Sequence, residues 1–383
     1  MRLRVALRAM TRGQGIHLRA APFVLAGAVA AALVLSAPFV GQIRSDIRRA
    51  FPGQFVWIVG GIIAAGVAGA LVAALVRIRE RRLPRYAAIA AALTIAAAYS
   101  TLTADPNPES RAVERFHFLQ YGLITFLFYR AWRPLGDLSI VLMPLLAGLI
   151  VSTAEEWLQW FIPNRVGEMK DVFLNLVAIG TGLLFSAGIE PPERFSSAIA
   201  PAARPRLGRM AAAAILSFAA FLHVVHLGHR IHDGETGTFE SRYTRDRLIE
   251  LQAERAVRWR VHPPPTRLVR LSREDQYLTE GIQHVRERNR KWSEGDIAAA
   301  WLENRILEKY YEPVLDTPTH EGPSGHRWAA EQRADARSRA GGVAAAAYVS
   351  DAYKYPVFTW PKPVFWVVVL LICGGVVYGA RPR

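Results

Sequence analysis

Apolar runs of membrane-spanning length are the feature that most limits how this chain can fold. A helix needs about 20 apolar residues to cross the hydrocarbon core of a bilayer. Eight runs at or near this length occur along the 383 residues, at about Ala20–Val40, Phe55–Val76, Tyr86–Ala104, Phe116–Tyr129, Leu138–Ala154, Val172–Ile189, Met210–Gly228 and Pro363–Ala380. They predict an all-α, polytopic membrane protein with about eight transmembrane helices.

The segment between the seventh and eighth runs is polar. Hydrophobic residues make up 51% of the chain, yet mean hydropathy is only +0.14, which indicates several spans plus a sizeable polar portion. Segment 229–361 holds 21 basic and 20 acidic residues. Its helix signals predict a mostly helical domain, with helices at 244–259, from a cap at Ser272–Asp275, from a cap at Ser293, and at 327–339.

The net charge of +15 lies mostly in short segments beside the apolar runs. Such charge is typical of membrane topology and lipid contact, and no nucleic-acid-binding motif accompanies it. Membrane lipids are therefore expected partners, and nucleic acid is not. The single cysteine, Cys373, excludes an intrachain disulfide, so the polar domain must fold by packing alone.

The distribution of basic residues predicts an orientation. With a cytoplasmic N-terminus, the inner segments 1–19, 77–85, 130–136, 189–209 and 381–383 hold 18 basic residues, and the outer segments 41–54, 104–116 and 154–170 hold 7. This bias predicts a multi-pass protein of the cytoplasmic (inner) membrane with both termini cytoplasmic and residues 229–361 extracytoplasmic. Residues 1–40 also resemble a signal peptide, but seven further spans favour an uncleaved first helix.

Polar side chains gather at the ends of three apolar runs. Glu156 and Gln159 are three residues apart and share one helix face, and Asp171 and Asn175 share a face at the start of the next run. Glu156 lies about 27 Å along a helix that begins at Leu138, near the far edge of the hydrocarbon core.

The predicted topology brings further polar groups to the same depth. Ionisable groups at the mouth of membrane helices are costly and point to function. His117 opens the fourth run, and Arg165 lies in the loop above. The predicted outer-face polar site comprises His117, Tyr121, Glu156, Gln159, Arg165, Asp171 and Asn175.

Three hypotheses remain open for this site. In the first, Arg165, Glu156 and Asp171 close the hairpin by ion pairs and hydrogen bonds. In the second, Arg165 binds an anionic headgroup while the carboxylates and amides hold its polar parts. In the third, His117, Glu156 or Asp171 acts as a general acid or base on a lipid-linked or cell-wall substrate. Proximity of acid, base and cation permits catalysis without requiring it.

The order and spacing of these residues resemble the VanZ-like membrane protein family. The motifs are His117-Phe-Leu-Gln-Tyr121-Gly, Glu156-Trp-Leu-Gln159-Trp-Phe-Ile-Pro163-Asn-Arg165 and Asp171-Val-Phe-Leu-Asn175. The family usually has a glycine three residues after the asparagine. This chain has Ala178 there and Gly182 at the later glycine position, which implies a small change in helix packing.

The resemblance covers about Tyr86 to Ile189 and suggests a division of the chain into five parts. These are an N-terminal two-helix membrane segment (1–85), a VanZ-like membrane domain (86–189), a linker with the seventh transmembrane helix (190–228), an extracytoplasmic, mostly helical domain (229–361) and a C-terminal transmembrane helix (362–383).

The resemblance implies a bacterial cell-envelope protein acting at the outer side of the cytoplasmic membrane. The family's namesake is associated with low-level teicoplanin resistance, so a link to glycopeptide resistance rests on resemblance alone. We expect the polar site to bind a lipid or cell-envelope component, and the external domain to meet an envelope precursor or a protein partner. The alternatives are a membrane-embedded enzyme acting on a lipid-linked substrate, and a structural or assembly protein working through its external domain. No cofactor is expected.

A second candidate cluster is a set of histidines that recur every three residues at the end of the seventh run: His223, His226, His229 and His232. Neighbouring pairs could chelate a metal if the helix continued, but a three-residue step drifts around a helix. We therefore predict interfacial histidines and no metal site. Glu280 and His284 also share a helix face and are expected to be an inert pair on a solvated helix.

Overall fold

A computed structural model describes residues 20–162, 167–266, 275–342, 344–353 and 356–381. Thirteen α-helices and one two-stranded sheet occur among these residues. The all-α prediction is therefore confirmed, with the addition of a small hairpin that was not predicted.

Seven helices precede the hairpin: α1 Ala20–Ala50, α2 Phe55–Arg77, α3 Arg82–Leu102, α4 Pro108–Trp132, α5 Ser139–Gln159, α6 Met169–Ile189 and α7 Arg204–Val225. The antiparallel strands β1 His229–Asp233 and β2 Gly237–Ser241 follow. The remaining helices are α8 Arg245–Val261, α9 Gln276–Ser293, α10 Ile297–Tyr310, α11 Glu312–Asp316, α12 Ala330–Arg339 and α13 Lys362–Gly379.

Seven of the described helices are long and apolar enough to cross a membrane: α1, α2, α3, α5, α6, α7 and α13. Helices of this kind make the chain a multi-pass membrane protein. The predicted fourth span lies within α4, which is outside this set because polar and charged residues, among them Glu114, His117 and Arg130, occur along most of its length. The number of eight spans therefore stays a prediction.

The chain forms two compact units, which we call the membrane unit and the polar unit. In so far as their residues are described, the membrane unit comprises Met1–Glu156, Met169–Phe218 and Leu370–Arg383. The polar unit comprises Trp157–Glu168 and Ala219–Val369. The predicted domain boundaries follow the resemblance rather than these units and remain predictions.

Helices α4 and α6 run side by side in the same direction within the membrane unit. At one end the His117 ring contacts the Asn175 side chain, and at the other end the Tyr129 hydroxyl donates a hydrogen bond of 2.9 Å to the Glu190 carbonyl oxygen. Between these ends the two helices bury the apolar side chains of Ile124, Ala178, Ile179 and Leu183. The pair therefore sets the positions of polar groups at both of its ends.

The polar unit packs α8 to α11 and the hairpin around one apolar core, whose members include Phe239, Leu248, Tyr277 and Ile306. The helix predicted at 244–259 is α8, and Thr244 caps it. Asp296 rather than Ser293 caps α10, because Ser293 is still part of α9 and Asp296 accepts the hydrogen bond from the Ala299 N–H. Most of the predicted cap at 272–275 lies outside the described residues.

The four histidines do not share a helix. Helix α7 ends at Val225, so His226 follows it, while His229 and His232 belong to β1. His226 Nδ1 lies 3.0 Å from the Pro356 carbonyl oxygen, and His232 Nδ1 lies 3.0 Å from the Thr238 hydroxyl. Among the described residues, no group of three or more His, Cys, Asp or Glu side chains is placed to hold a metal ion.

The prediction that Glu280 and His284 are solvated was wrong. Both side chains are in the core of the polar unit, 1% and 2% exposed. His284 Nδ1 lies 2.7 Å from a carboxylate oxygen of Glu303, whose other oxygen accepts a hydrogen bond of 2.5 Å from the Tyr348 hydroxyl. The amphipathic pattern of α9 was misjudged, because α9 and α10 bury polar side chains against each other.

Glu280 is surrounded by hydrogen-bond donors. Its Oε2 accepts from the hydroxyls of Ser241 at 2.5 Å and Tyr311 at 3.0 Å. Its Oε1 accepts from the backbone N–H of Arg242 at 3.0 Å and the side-chain amide of Gln276 at 3.2 Å. Burial raises the pKa of Glu280, although these four hydrogen bonds act in the opposite direction.

Candidate binding site

A chain of hydrogen bonds joins three helices inside the membrane unit. His117 on α4 lies with Nδ1 2.8 Å from Asn175 Oδ1 on α6, and Asn175 Nδ2 donates to the Ser152 hydroxyl on α5 at 3.0 Å. All three side chains are buried. His117 and Asn175, which were predicted to lie at similar depth, are therefore in contact, and Ser152 joins them.

The amide of Asn175 determines the roles of its neighbours. Because its Nδ2 donates to Ser152, its Oδ1 must accept from His117, which requires the proton of a neutral imidazole to be on Nδ1. Nε2 of His117 is then the acceptor nitrogen. A ring fixed in this way can accept a proton or a hydrogen bond from a polar group at Nε2.

A second buried contact continues the network. The Tyr121 hydroxyl donates a hydrogen bond of 2.6 Å to Glu155 Oε2. The rings of His117 and Tyr121 lie parallel with centroids 6.2 Å apart, one helical turn from each other on α4. Tyr121 thus links the histidine side of the network to the carboxylates of α5.

Ser152 and Glu155 were not among the predicted site residues. Ser152, Glu155 and Gln159 succeed one another at intervals of three and four residues, the spacing of one helix face. The spacing from Glu156 to Gln159 is also that of one helix face, so spacing alone does not choose between the two adjacent carboxylates. The prediction named Glu156 and left out Glu155.

The other predicted residues have different positions. Glu156 is fully buried, with 0% exposure. Asp171 is half-buried in the first turn of α6, one turn before Asn175 and close to the positive end of the helix dipole. Gln159, the last residue of α5, is buried and belongs to the polar unit. Arg165 lies outside the described residues.

Ion pairs lie on the end of α4 and α6 beside this network. Lys170 Nζ on α6 lies 3.0 Å from a Glu114 carboxylate oxygen on α4. Arg44 on α1 lies 2.7 Å from the Glu109 carboxylate, which Arg48 also contacts. These partly exposed pairs join the beginnings of α4 and α6 to the end of α1.

Close approach of two backbones allows the buried contacts to form. A Cβ atom at Gly182 on α6 would lie 3.0 Å from Gly122 Cα and 3.1 Å from Thr125 Cβ on α4. Glycines at facing positions let helices approach closely in membranes. The later glycine position identified in the sequence therefore has a direct packing role.

We expect Gly182→Val to lower the free energy of unfolding by about 1–3 kcal/mol, because the larger side chain must separate α4 from α6. Thermal unfolding in mild detergent would measure the loss. Gly180, where an added Cβ meets no atom within 4 Å, gives a matched control as Gly180→Val. Equal losses in both variants would contradict the packing role.

Comparisons with known proteins add no assignment: the chain matches no protein-family model, no curated protein and no solved structure. The fold and apolar helices define the class as a predominantly helical, multi-pass membrane protein.

Proposed function

We propose that this chain is a VanZ-like protein of the bacterial cell envelope that binds the polar part of a lipid or envelope precursor at the buried network. The observation that carries the proposal is the continuous set of contacts from Tyr121 and Glu155 to His117, Asn175 and Ser152. The network combines acceptors, donors and carboxylates, which suits a hydroxyl-rich or phosphate-linked headgroup.

The cost of such a network supports a functional role. Ionisable side chains in membrane helices are expensive and usually functional. Adjacent Glu155 and Glu156, in the last turn of α5, are both buried here. Packing between α4, α5 and α6 could be achieved with apolar side chains alone. Retaining two carboxylates, a histidine and an asparagine is explained by a polar ligand.

The resemblance and the charge distribution support placing this network at the outer face of the cytoplasmic membrane. That orientation makes both termini cytoplasmic and residues 229–361 extracytoplasmic. It also includes α4 as a transmembrane span. Because α4 lies parallel to α6 from His117 to Tyr129, a bilayer crossed by α6 would be crossed by α4 as well.

A second candidate function, an enzyme acting on a lipid-linked substrate, is favoured by one feature of the network. His117 has a fixed tautomer with Nε2 as acceptor, one turn from the Tyr121–Glu155 hydrogen bond. This arrangement contains a base and an acid within one cluster. The binding test below therefore also detects chemical conversion of the bound probe.

Native mass spectrometry of the full chain in mild detergent tests binding. The probe is a polyprenyl-phosphate-linked glycan added to delipidated protein, with the variants Glu155→Gln and Glu156→Gln compared with the original chain. We expect retention of the probe to fall about tenfold or more in each variant, because each variant loses one or more charge-assisted contacts with the probe. Glu114→Gln is the control, because Glu114 contacts Lys170 rather than the buried network.

Retained probe of unchanged mass supports binding, and a probe converted to a new mass identifies the enzyme instead. Equal retention in the original chain and both variants would contradict a ligand site here. The network would then be structural, and the polar unit would become the candidate for the protein's interactions.

A further inference from the structure

The opposite end of α4 and α6 carries a second charged cluster that the proposed function does not use. Three arginines surround the carboxylate of Glu190, which directly follows α6. Arg77 Nη1 lies 2.8 Å from Oε1, while Arg133 Nη1 at 3.1 Å and Arg130 Nε at 3.2 Å contact Oε2. These side chains come from α2, α4 and the turn after α4. We call this set the arginine cluster.

A fourth arginine has a separate structural task. Arg85 Nε on α3 donates to the Gly188 carbonyl oxygen at 2.8 Å, and the same guanidinium contacts the Ile189 carbonyl oxygen. It thereby satisfies carbonyl groups at the end of α6, where the helix dipole favours a cation. These carbonyl groups are therefore satisfied without Arg130 or Arg133.

The arginine cluster has more positive charge than its carboxylate can neutralise. Three guanidinium groups share one carboxylate, which leaves a local excess of two positive charges. The Glu190 side chain is only 13% exposed, whereas those of Arg77, Arg130 and Arg133 are 53%, 51% and 34% exposed. The guanidinium groups therefore cover the carboxylate and present their other N–H donors outwards.

The position of the cluster matches the headgroup region of a bilayer. Arg130 is 13 residues after His117 on α4, about 20 Å further along the helix, so the cluster and the buried network lie near opposite ends of the same helices. Arg77 is the last residue of α2, an apolar helix long enough to span a membrane. The Arg130 guanidinium lies over the Phe126 ring, 5.6 Å from its centroid, which fixes its stem against apolar surface.

The surrounding sequence has the same charge bias. Segments 77–85, 130–137 and 189–209 contain eleven basic and four acidic residues. Segments 41–54, 103–116 and 154–171, which flank the other helix ends, contain seven basic and eight acidic residues. An anion is therefore attracted to the end that holds the arginine cluster.

We propose that the arginine cluster of Arg77, Arg130 and Arg133 around Glu190 binds the phosphate of an anionic phospholipid headgroup. Guanidinium groups match phosphate oxygens with paired N–H donors, and a phosphodiester offsets the repulsion among the three cations. A lipid also fits the apolar helix surfaces below the cluster, which a free phosphate does not use. This site is independent of the one proposed at the buried network.

The test measures lipid retention by native mass spectrometry of the full chain in neutral detergent. Phosphatidylglycerol and phosphatidylcholine with identical acyl chains are added in competition. We expect the original chain to prefer phosphatidylglycerol, and the double variant Arg130→Gln/Arg133→Gln to lose that preference by about tenfold or more. Arg77 remains on Glu190 in this variant, so the carboxylate is not left without a partner.

Arg44→Gln/Arg48→Gln is the matched control, because these two arginines also share one carboxylate, that of Glu109. It removes the same charge from the other end of α4 and should keep the preference. An unchanged preference in Arg130→Gln/Arg133→Gln, or an equal fall in the control, would overturn the proposal. Displacement of phosphatidylglycerol by millimolar inorganic phosphate would show a site for free anions and overturn the assignment to lipid. If the double variant fails to fold, the single Arg130→Gln variant is measured in its place.

Discussion

Replacing Glu280 with alanine is expected to destabilise the polar unit: the free energy of the opening reaction that permits hydrogen exchange should fall by about 3–5 kcal/mol. This is the range for removing one member of a buried polar network. The substitution removes the acceptor of four donors at once, two hydroxyls and two N–H groups. Hydrogen exchange of the core segments in α9 and α10, followed by mass spectrometry of the full chain, would measure the change.

Glu280→Gln should behave differently, with a loss of less than about 1 kcal/mol, because an amide can satisfy the same neighbours. The amide oxygen can replace Oε1 and accept from the Arg242 backbone N–H, which can only donate, and from the Gln276 side-chain amide. The amide nitrogen then faces the Ser241 and Tyr311 hydroxyls, which can rotate to accept. A loss as large as that of the alanine variant would show that the ionised carboxylate is required.

The two variants also differ in their response to pH. Burial raises the folded pKa of Glu280 above the unfolded value of about 4.3. Between the two values the folded state binds more protons than the unfolded state, so this group's contribution to stability declines as pH rises through that window. Glu280→Gln removes the titration and should therefore gain stability relative to the original chain as pH increases. Hydrogen exchange of both chains at pH 4.5 and pH 7.5, corrected for intrinsic exchange rates, would test the sign of this change in relative stability.

The membrane helices were predictable because the requirement for apolar length is local. Seven of the eight predicted runs coincide with helices that could span a membrane. Helix α4 begins at Pro108, well before the predicted run, because the Asn107 side chain caps it and polar residues continue the helix. Hydropathy alone could not locate the beginning of α4, because that boundary depends on the capping side chain of Asn107.

The hairpin was missed because its signal competes with a helical pattern. His226, His229 and His232 were considered only as positions on a possible helix, and the strand pattern was not weighed, although Gly234 and Gly237 flank the β-turn. Gly237 has a φ of +94°, a conformation that favours glycine. The bridge between Thr238 and Val349 pairs residues far apart in sequence, and such a contact cannot be read from local spacing.

The candidate site was predictable in part. Spacing identified His117 and Asn175 as residues at one depth, and the structure brings them into contact. It could not decide between Glu155 and Glu156, which differ by about 100° around α5. That choice depends on which side of α5 faces Tyr121, a property of the packed helices rather than of either sequence segment.

Replacing Asn175 with alanine should lower the free energy of unfolding of the membrane unit by about 2–4 kcal/mol, because two buried polar partners lose their contacts together. His117 Nδ1 would lose its acceptor, and the Ser152 hydroxyl would lose its donor. The same variant should lose retention of the polyprenyl-phosphate-linked probe, since the His117 tautomer is no longer fixed. Thermal unfolding in mild detergent and native mass spectrometry would measure the two effects.

A double-mutant cycle separates the network from simple loss of volume. Ser152→Ala alone should destabilise by about 1 kcal/mol, because it leaves the Asn175 amide with one partner fewer. If Asn175 acts through Ser152, the double variant should lose little more than Asn175→Ala, so the two losses are not additive. Fully additive losses would mean that Asn175 and Ser152 stabilise the membrane unit independently of each other. In that case the line of contacts from His117 to Ser152 would not act as one unit, and the binding site would have to be sought around Tyr121 and Glu155.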